Sequence, residues 1–322
     1  MRASVSFKKP LRLSSYENPR KPVSCNKPIY CLLPDVMTRI AILSDAHGNL
    51  PALEAVLNDL ADFRPDQIIY AGDFLRGPFP NEIIELLQSV NAAMIIGNDD
   101  QHTLRYHSGQ CPPEWHTHRQ YSIVRWTAAE LTAENYTFLC SLPEQRSIHI
   151  PSAGAIRVVH GSPRSPSESL DPNRDPTLID SAMECCKEPV LICGHTHRQW
   201  SLHKTGKLLI NPGAVAGTQI GPYAQYARLL ADGREWQVEM RTIPYDFVQL
   251  KSAFEQRGLL DSGDPISRGF LLSMQTGYDF MVAFLRFAYA LAAENGIDRT
   301  QVIPDEIWDQ ADRMFRWEIP KT

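Results

Sequence analysis

The sequence predicts an α/β protein, on three observations. From residue 37 onward, short apolar runs alternate with helical stretches, which is the rhythm of a βαβ sheet. Later apolar runs are separated by short Gly-containing turns, which are typical of antiparallel hairpins. The chain has 322 residues, 43% hydrophobic and 21% charged, and this balance excludes disordered, collagen-like and disulfide-scaffold proteins.

The first part of the chain contains three predicted strands with two helices between them. The strands are expected over residues 40–43, 68–71 and 92–96, where the side chains are almost all apolar. A helix is expected over residues 51–60, because a proline stands near its start and Leu and Val side chains fall on one face. A second helix is expected over residues 81–90, which completes the βαβ pattern.

The second part begins with a helical and irregular stretch up to residue 142 and continues with strands. Seven further strand-like runs occur at residues 147–150, 155–159, 190–193, 199–203, 208–210, 226–230 and 237–241. The tail over residues 245–317 is expected to be helical. Its apolar part, residues 280–293, contains Arg286 and is too short to span a bilayer. No membrane partner is therefore expected. Packing on the main body, packing on a second subunit of a homo-oligomer and a lid over the substrate site are the alternatives, of which the lid is the least favoured.

Residues 1–36 differ in composition from the rest of the chain. They contain seven Lys or Arg residues, only two acidic residues, five Pro and five Ser. Three interpretations compete: a disordered arm, an organellar transit peptide, or a segment upstream of a true translation start at Met37, which we favour because a strand follows at once. The expected organisation is this basic extension, a domain over residues 37–245 and a helical extension over residues 246–322.

Charge and cysteine content narrow the function and the location. The net charge of −5 argues against bulk electrostatic binding of nucleic acid. The seven cysteines form no Cys-x-x-Cys pair, so a zinc knuckle is not expected. Free thiols in a reducing cytoplasm are the simplest interpretation.

Five predicted strands end with metal-binding residue types beside a glycine. These ends read Asp45-Ala-His47-Gly-Asn49, Gly72-Asp73, Gly97-Asn98-Asp99-Asp100, His160-Gly161 and Gly194-His195-Thr196-His197. In open α/β sheets, ligands bind just beyond the carboxyl ends of the strands. The mixed nitrogen and oxygen donors suit Mn, Fe, Zn or Co better than Ca. Seven candidate ligands are too many for one ion but suit two, and such a pair can clamp a phosphoryl group and activate a bridging water.

In this order the motifs resemble the calcineurin-like metallophosphoesterases, above all their small bacterial and archaeal phosphodiesterase branch. The segments Gly72-Asp73-Phe-Leu-Arg-Gly77-Pro and Asn211-Pro-Gly-Ala214 also fit that branch, and the likeness covers about residues 38–245. The resemblance implies a four-layer αββα metallophosphoesterase sandwich, here with the helical C-terminal extension. It also implies a phosphodiesterase that hydrolyses a phosphate ester with a metal-activated hydroxide and forms no covalent enzyme intermediate, in the cytoplasm that the cysteine content favours.

The resemblance assigns a role to each candidate residue. Asp45, His47 and His197 would hold one metal, Asn98, His160 and His195 the other, and Asp73 would bridge both. Mn²⁺ is the first choice for the two divalent ions, with Fe, Zn, Ni or Co as alternatives, since such ligands select poorly among these metals. Arg76 and Asn98 are candidates for binding the substrate, with a salt bridge at the rim as the alternative for Arg76.

One position departs from the family pattern. Family members that cleave phosphomonoesters well usually have His between the Asn and the Asp of Gly-Asn-x-Asp, and this chain has Asp99 there. Asp99 and Asp100 are the catalytic candidates, Asp99 as a substitute for that His and Asp100 through hydrogen bonding to a neighbour. The remaining histidines are expected to have surface or packing roles: His102, His107, His116, His118, His149 and His203.

Two other functions stay open at this point. One is a different substrate for the same chemistry, as in a protein Ser/Thr phosphatase or a dinucleoside polyphosphate hydrolase. The other is a non-catalytic protein-interaction scaffold of the same fold, which the missing His favours and the complete ligand set opposes.

The sequence predicts that Asp99→His raises the turnover of phosphomonoesters, because a histidine can steady or protonate the leaving oxygen. Comparing hydrolysis of a monoester and a diester by the variant and the parent protein in Mn²⁺ tests this. Strong and selective monoester cleavage by the parent protein would refute the argument that Asp99, in place of the family His, makes monoester cleavage weak.

Overall fold

The computed structural model describes residues 37–151, 153–232, 235–260 and 264–319. The expectations for residues 1–36 lie outside these ranges. The strands of the described ranges are β1 (Thr38–Leu43), β2 (Gln67–Tyr70), β3 (Ala93–Met94), β4 (Gln145–Ile150), β5 (Gly154–Val159), β6 (Val190–Ile192), β7 (Gln199–Lys204), β8 (Lys207–Pro212), β9 (Tyr223–Ala231) and β10 (Trp236–Pro244). The α-helices are α1 (Leu50–Phe63), α2 (Pro80–Ser89), α3 (Asn98–His107), α4 (Ser122–Glu130), α5 (Ala133–Ser141), α6 (Pro176–Glu184), α7 (Phe247–Gln256), α8 (Pro265–Thr276), α9 (Phe280–Glu294) and α10 (Asp305–Met314).

Two mixed five-stranded sheets form the centre of the fold. The first has the order β10-β9-β1-β2-β3, with β1, β2 and β3 parallel and β9 and β10 antiparallel to their neighbours. The second has the order β4-β5-β6-β8-β7, with β5, β6 and β8 parallel and the two edge strands antiparallel. The predicted α/β sandwich is confirmed, and its parallel strands bring their carboxyl ends to a common edge.

The apolar run of β1 is continuous because both of its faces are buried. Ile40 and Ile42 belong to the core between the two sheets, whereas Ala41 and Leu43 pack against α1 and α2 on the outer face of the first sheet. On the outer face of the second sheet, α6 packs through Ile179 and adjacent apolar residues of the helix. Sequence patterning did not predict α6. Strands covered on both faces read as apolar runs rather than as an alternating pattern.

The C-terminal helices α7 to α10 share one apolar cluster with the segment before α4. Phe284 of α9 packs edge-on against Trp308 of α10, with ring centroids 5.0 Å apart, and the same cluster includes Trp115 and, from α4 itself, Ile123. The predicted helical tail is confirmed, and residues 280–293 pack on the body of the same chain. Crossing a bilayer needs a helix that is both longer and more apolar than any in the described ranges.

Phe284→Ala is expected to lower the free energy of unfolding by about 3–5 kcal/mol, because the ring is fully buried and its removal leaves a cavity. Urea denaturation followed by circular dichroism measures the loss. Val248→Ala on α7 is the control, since this side chain is 74% exposed and its truncation should change stability by less than about 0.5 kcal/mol. Equal losses in both variants would contradict the assigned packing.

Candidate metal centre

The strand-end side chains converge at the carboxyl edge of the two sheets. Two sets of three residues have ligand atoms within 4.8 Å of one another: Asp45, His47 and His197, and Asp73, His160 and His195. Asn98 joins the second set, because its Oδ1 lies 3.1 Å from Nε2 of His160. These are the two sets that the family resemblance implies, and their role as metal ligands stays a prediction.

Asp73 lies between the two sets. Its Oδ1 accepts a hydrogen bond of 2.9 Å from the Asp99 backbone N–H, in the first turn of α3. Its Oδ2 lies 3.1 Å from Nε2 of His160 and 3.9 Å from Nε2 of His47. The first turn of α3 thus holds one carboxylate oxygen, and the other faces both sets, as a bridging ligand requires.

Three imidazole rings are oriented by backbone carbonyls. Nδ1 of His160 is 2.7 Å from the oxygen of Ala71, Nδ1 of His197 is 3.1 Å from that of Gly217, and Nδ1 of His47 is 3.1 Å from that of Leu75. A carbonyl can only accept a hydrogen bond, so Nδ1 carries the proton in each ring. Nε2 is left to face the carboxylates, which is how histidine ligands of metals are commonly oriented.

The electrostatics of the cluster favour cations. Asp45 is fully buried, and its Oδ1 accepts no hydrogen bond. Burial lowers the pKa of His160, but the charges of Asp73 and Asp45 outweigh it and raise that pKa to about 10. For His197 burial acts the same way, and Asp45 raises the pKa to about 9. The carboxylates thus hold protons on the nearby imidazole rings. A divalent ion would take the place of these protons, so the residues fit a pair of metal ions.

Several of these residues adopt a backbone conformation that is uncommon for a side chain of their type. Five of the seven candidate ligands have positive φ angles, with values of 57° for Asp45, 42° for His47, 60° for Asp73, 63° for His195 and 54° for His197. Each such conformation costs on the order of 1–3 kcal/mol and persists only where the surrounding structure enforces it. Residues of this kind cluster at functional sites.

Two glycines allow the loops to approach the carboxylates closely. A Cβ at Gly97 would lie 2.1 Å from Oδ1 of Asp73, and a Cβ at Gly194 would lie 2.8 Å from Oδ2 of Asp45. The same loops are joined by backbone hydrogen bonds, such as that from the N–H of His47 to the oxygen of Asp73 at 3.1 Å. The close packing of the loops therefore requires these two glycines, in addition to the sharp turns for which the sequence motifs suggested them.

Asp100 lies behind the centre rather than in it. Its carboxylate accepts hydrogen bonds of 2.9 Å from the backbone N–H groups of Asp73, Phe74 and Gly97. Its side chain is fully buried, and burial together with the charge of Asp73 raises its pKa to about 8. The geometry makes Asp100 a positioning residue for Asp73. The hydrogen bonding to a neighbour that was expected of Asp100 is present in these contacts, and its part in catalysis stays a prediction.

Asp99 and Arg76 form an ion pair beside the metal-ligand cluster. Arg76 Nη2 lies 3.1 Å from Oδ1 of Asp99 and 3.0 Å from Nδ1 of His102. The Asp99 carboxylate also lies within 4.8 Å of ligand atoms of His47 and Asp73. His102 was expected to have only a surface or packing role. That expectation was incomplete, since the His102 ring also contacts Arg76 at the site. Its position three residues after Asp99, on the same face of α3, is the signal that could have identified it.

A cavity of about 810 Å³ opens above the cluster. Its floor includes five of the candidate ligands, namely His47, Asp73, Asn98, His195 and His197. Its walls come from the segment before α4 and from the C-terminal helices, which contribute Phe270, Arg286 and Tyr289 among others. Phe270 packs edge-on against the His47 ring, with centroids 5.0 Å apart. The sequence offered these helices only as a less favoured substrate lid and did not identify which residues form the wall, because contacts so distant in sequence leave no local pattern.

Comparisons with known proteins agree with this geometry. A sequence profile described as a calcineurin-like phosphoesterase superfamily domain matches residues 38–233. An uncharacterised protein of Methanocaldococcus jannaschii is 29% identical over 240 residues, which cover 69% of this chain and 92% of that protein. A metallophosphoesterase structure from Sphaerobacter thermophilus has a TM-score of 0.60 at 28% identity and covers 75% of this chain and 99% of its own. A hypothetical protein from Pyrococcus horikoshii has a TM-score of 0.61 at 18% identity with the same coverage, a likeness of fold alone.

Asp73→Asn is expected to lower the number of Mn²⁺ ions bound per chain, because it removes the negative charge that lies between the two ligand sets. Mass spectrometry of metals after dialysis against Mn²⁺ measures this. Glu54→Gln is the matched control, since Glu54 is an exposed acid on α1. A folded Asp73→Asn variant with unchanged metal content would contradict the bridging role.

Proposed function

Since the chain belongs to the calcineurin-like phosphoesterase superfamily, we propose that it is a dinuclear metal-dependent hydrolase of phosphate esters, and more narrowly a phosphodiesterase. The observation that carries the proposal is the position of Asp73 Oδ2, which faces imidazoles of both ligand sets at 3.1 and 3.9 Å. Mn²⁺ is the ion to test first, because the donor set suits it and Fe, Zn, Ni and Co similarly well.

The contacts of the site residues support three separate roles: binding the metal ions, orienting the histidine rings and positioning Asp73. Two divalent ions held by the seven side chains would supply positive charge to the phosphoryl group and lower the pKa of a bound water. The carbonyls of Ala71, Gly217 and Leu75 fix the histidine rings. Asp100 fixes the backbone of Asp73. The site is thus prepared before substrate arrives, which is the main requirement of electrostatic catalysis.

The preference for diesters follows from the surroundings of Asp99. This carboxylate occupies the position where the family resemblance places a leaving-group histidine, and it is paired with Arg76. The Asp99–Arg76 pair contains no imidazole that could donate a proton to the oxygen of a poor leaving group. A diester also carries one negative charge fewer than a monoester dianion, so it meets less repulsion from Asp99.

A small substrate suits the shape of the site. The cavity of about 810 Å³ lies within the range of pockets for small molecules. The C-terminal helices form one of its walls, and the chain carries a net charge of −5. A long nucleic-acid strand would need an open, basic groove instead. We therefore propose a small phosphodiester as the substrate class.

The Mn²⁺-loaded protein is expected to hydrolyse bis(p-nitrophenyl) phosphate with a kcat/KM at least about tenfold higher than for p-nitrophenyl phosphate, a difference of about 1.4 kcal/mol in transition-state stabilisation. Both are measured by absorbance at equal enzyme concentration. EDTA should abolish the activity, and added Mn²⁺ should restore it.

Other results would point to the alternatives. Selective cleavage of the monoester would favour a phosphatase. Two tightly bound metals without hydrolysis of any ester would favour the protein-interaction scaffold and would overturn the proposed activity.

A further inference from the structure

Arg76 has an unusual backbone conformation for a charged residue. Its φ angle is 82°, the largest among the non-glycine residues with positive φ in the described ranges. A long side chain gains nothing from this conformation, which costs on the order of 1–3 kcal/mol. The strain points to a requirement on where the guanidinium is placed.

Asp99 and His102 hold the guanidinium through a single nitrogen. Nη2 of Arg76 contacts Oδ1 of Asp99 at 3.1 Å and Nδ1 of His102 at 3.0 Å. Burial and the charge of Arg76 lower the pKa of His102, so this ring remains neutral and accepts the hydrogen bond. The His102 ring packs edge-on against Trp115, with centroids 5.5 Å apart. Both acceptors are therefore held in place, since Asp99 and His102 lie on α3 and Trp115 packs against the His102 ring.

The rest of the guanidinium is left without partners. Nε is buried and forms no hydrogen bond, and Nη1 forms none with the described residues. The side chain lines the cavity together with Asp73 and Asn98 and is only 17% exposed. Because Nε has almost no exposed surface, the N–H groups of Nη1 are the ones left for a cavity ligand with oxygen acceptors. A phosphoryl group is such a ligand, and arginine can bind two of its oxygens at once.

We propose that Asp99 is a positioning residue, which with His102 holds the Arg76 guanidinium beside the metal centre so that its free N–H groups bind the phosphoryl oxygens of the ester. This inference rests on the proposed function. This task for Asp99 requires neither acid catalysis nor metal ligation by its carboxylate. The negative charge of Asp99 is compensated by Arg76, which reduces the repulsion expected between Asp99 and the substrate.

The test uses the full-length chain loaded with Mn²⁺ and two probes, bis(p-nitrophenyl) phosphate as substrate and inorganic phosphate as a competing ligand. Asp99→Ala and Arg76→Ala should each weaken phosphate binding on the order of tenfold, as expected for losing hydrogen bonds to a charged group. Both should raise KM for the diester, and Asp99→Asn should have a smaller effect. The metal content should remain that of the parent protein.

A double variant separates positioning from a general structural effect. In the Arg76→Ala background, Asp99→Ala should cause little further loss, because the two residues act as one unit. Added guanidinium ion should partly restore Arg76→Ala and fail to restore the double variant. Arg157→Ala is the matched control, since Arg157 pairs with Glu188 at 3.2 Å on β5 and does not line the cavity.

Two results would overturn the inference. One is unchanged phosphate binding in a folded Asp99→Ala variant. The other is loss of metal from that variant, which would place Asp99 in the metal centre, either as a ligand or as the support of Asn98, whose Nδ2 donates a hydrogen bond of 2.7 Å to Oδ1 of Asp99. If no ester is hydrolysed at all, calorimetry of phosphate binding to the Mn²⁺-loaded variants still decides the role of Asp99, so the two failures are distinguishable. The geometry also refines the expectation for Asp99→His: any gain in kcat should come with a higher KM, since an imidazole holds Arg76 less firmly than a carboxylate does.

Discussion

The site depends on a carboxylate that must be buried and yet keep one oxygen free. Asp73 meets this requirement because the first turn of α3 satisfies its Oδ1, while Oδ2 faces the histidines. Burying a charge without compensation is costly. The surrounding loops supply that compensation through imidazoles, backbone N–H groups and the N-terminal end of a helix. Much of the strained backbone and close glycine packing around the site can be understood as serving this one group.

The two-sheet architecture makes that arrangement rigid. The first sheet supplies the loops of Asp45 and Asp73, and the second supplies those of His160 and His195. Because the sheets pack through one apolar core, that core sets the distance between the ligand loops of the two sheets. A centre shared between two sheets is therefore held by the packing of the whole sandwich.

The part of this organisation that is local in sequence could be predicted. Each strand end carries its own signal, an apolar run followed by Gly and a ligand type, and the order of these signals indicated the family and the fold. The pairing of Arg76 with Asp99 could not be predicted, because it depends on how the loop after β2 meets the start of α3. The wall formed by α8 and α9 could not be predicted either, since Phe270 and His47 are more than two hundred positions apart.

The distance along the chain between the ligands and this wall has a consequence for biosynthesis. Proteins emerge from the ribosome with the N-terminal part first and tend to fold in that direction. All candidate ligands lie between residues 45 and 197, whereas Phe270 and the rest of α8 are made much later. The nascent ligand loops therefore exist for a time without their hydrophobic cover. The hydrophobic wall of the cavity is thus the last part of the site to be made.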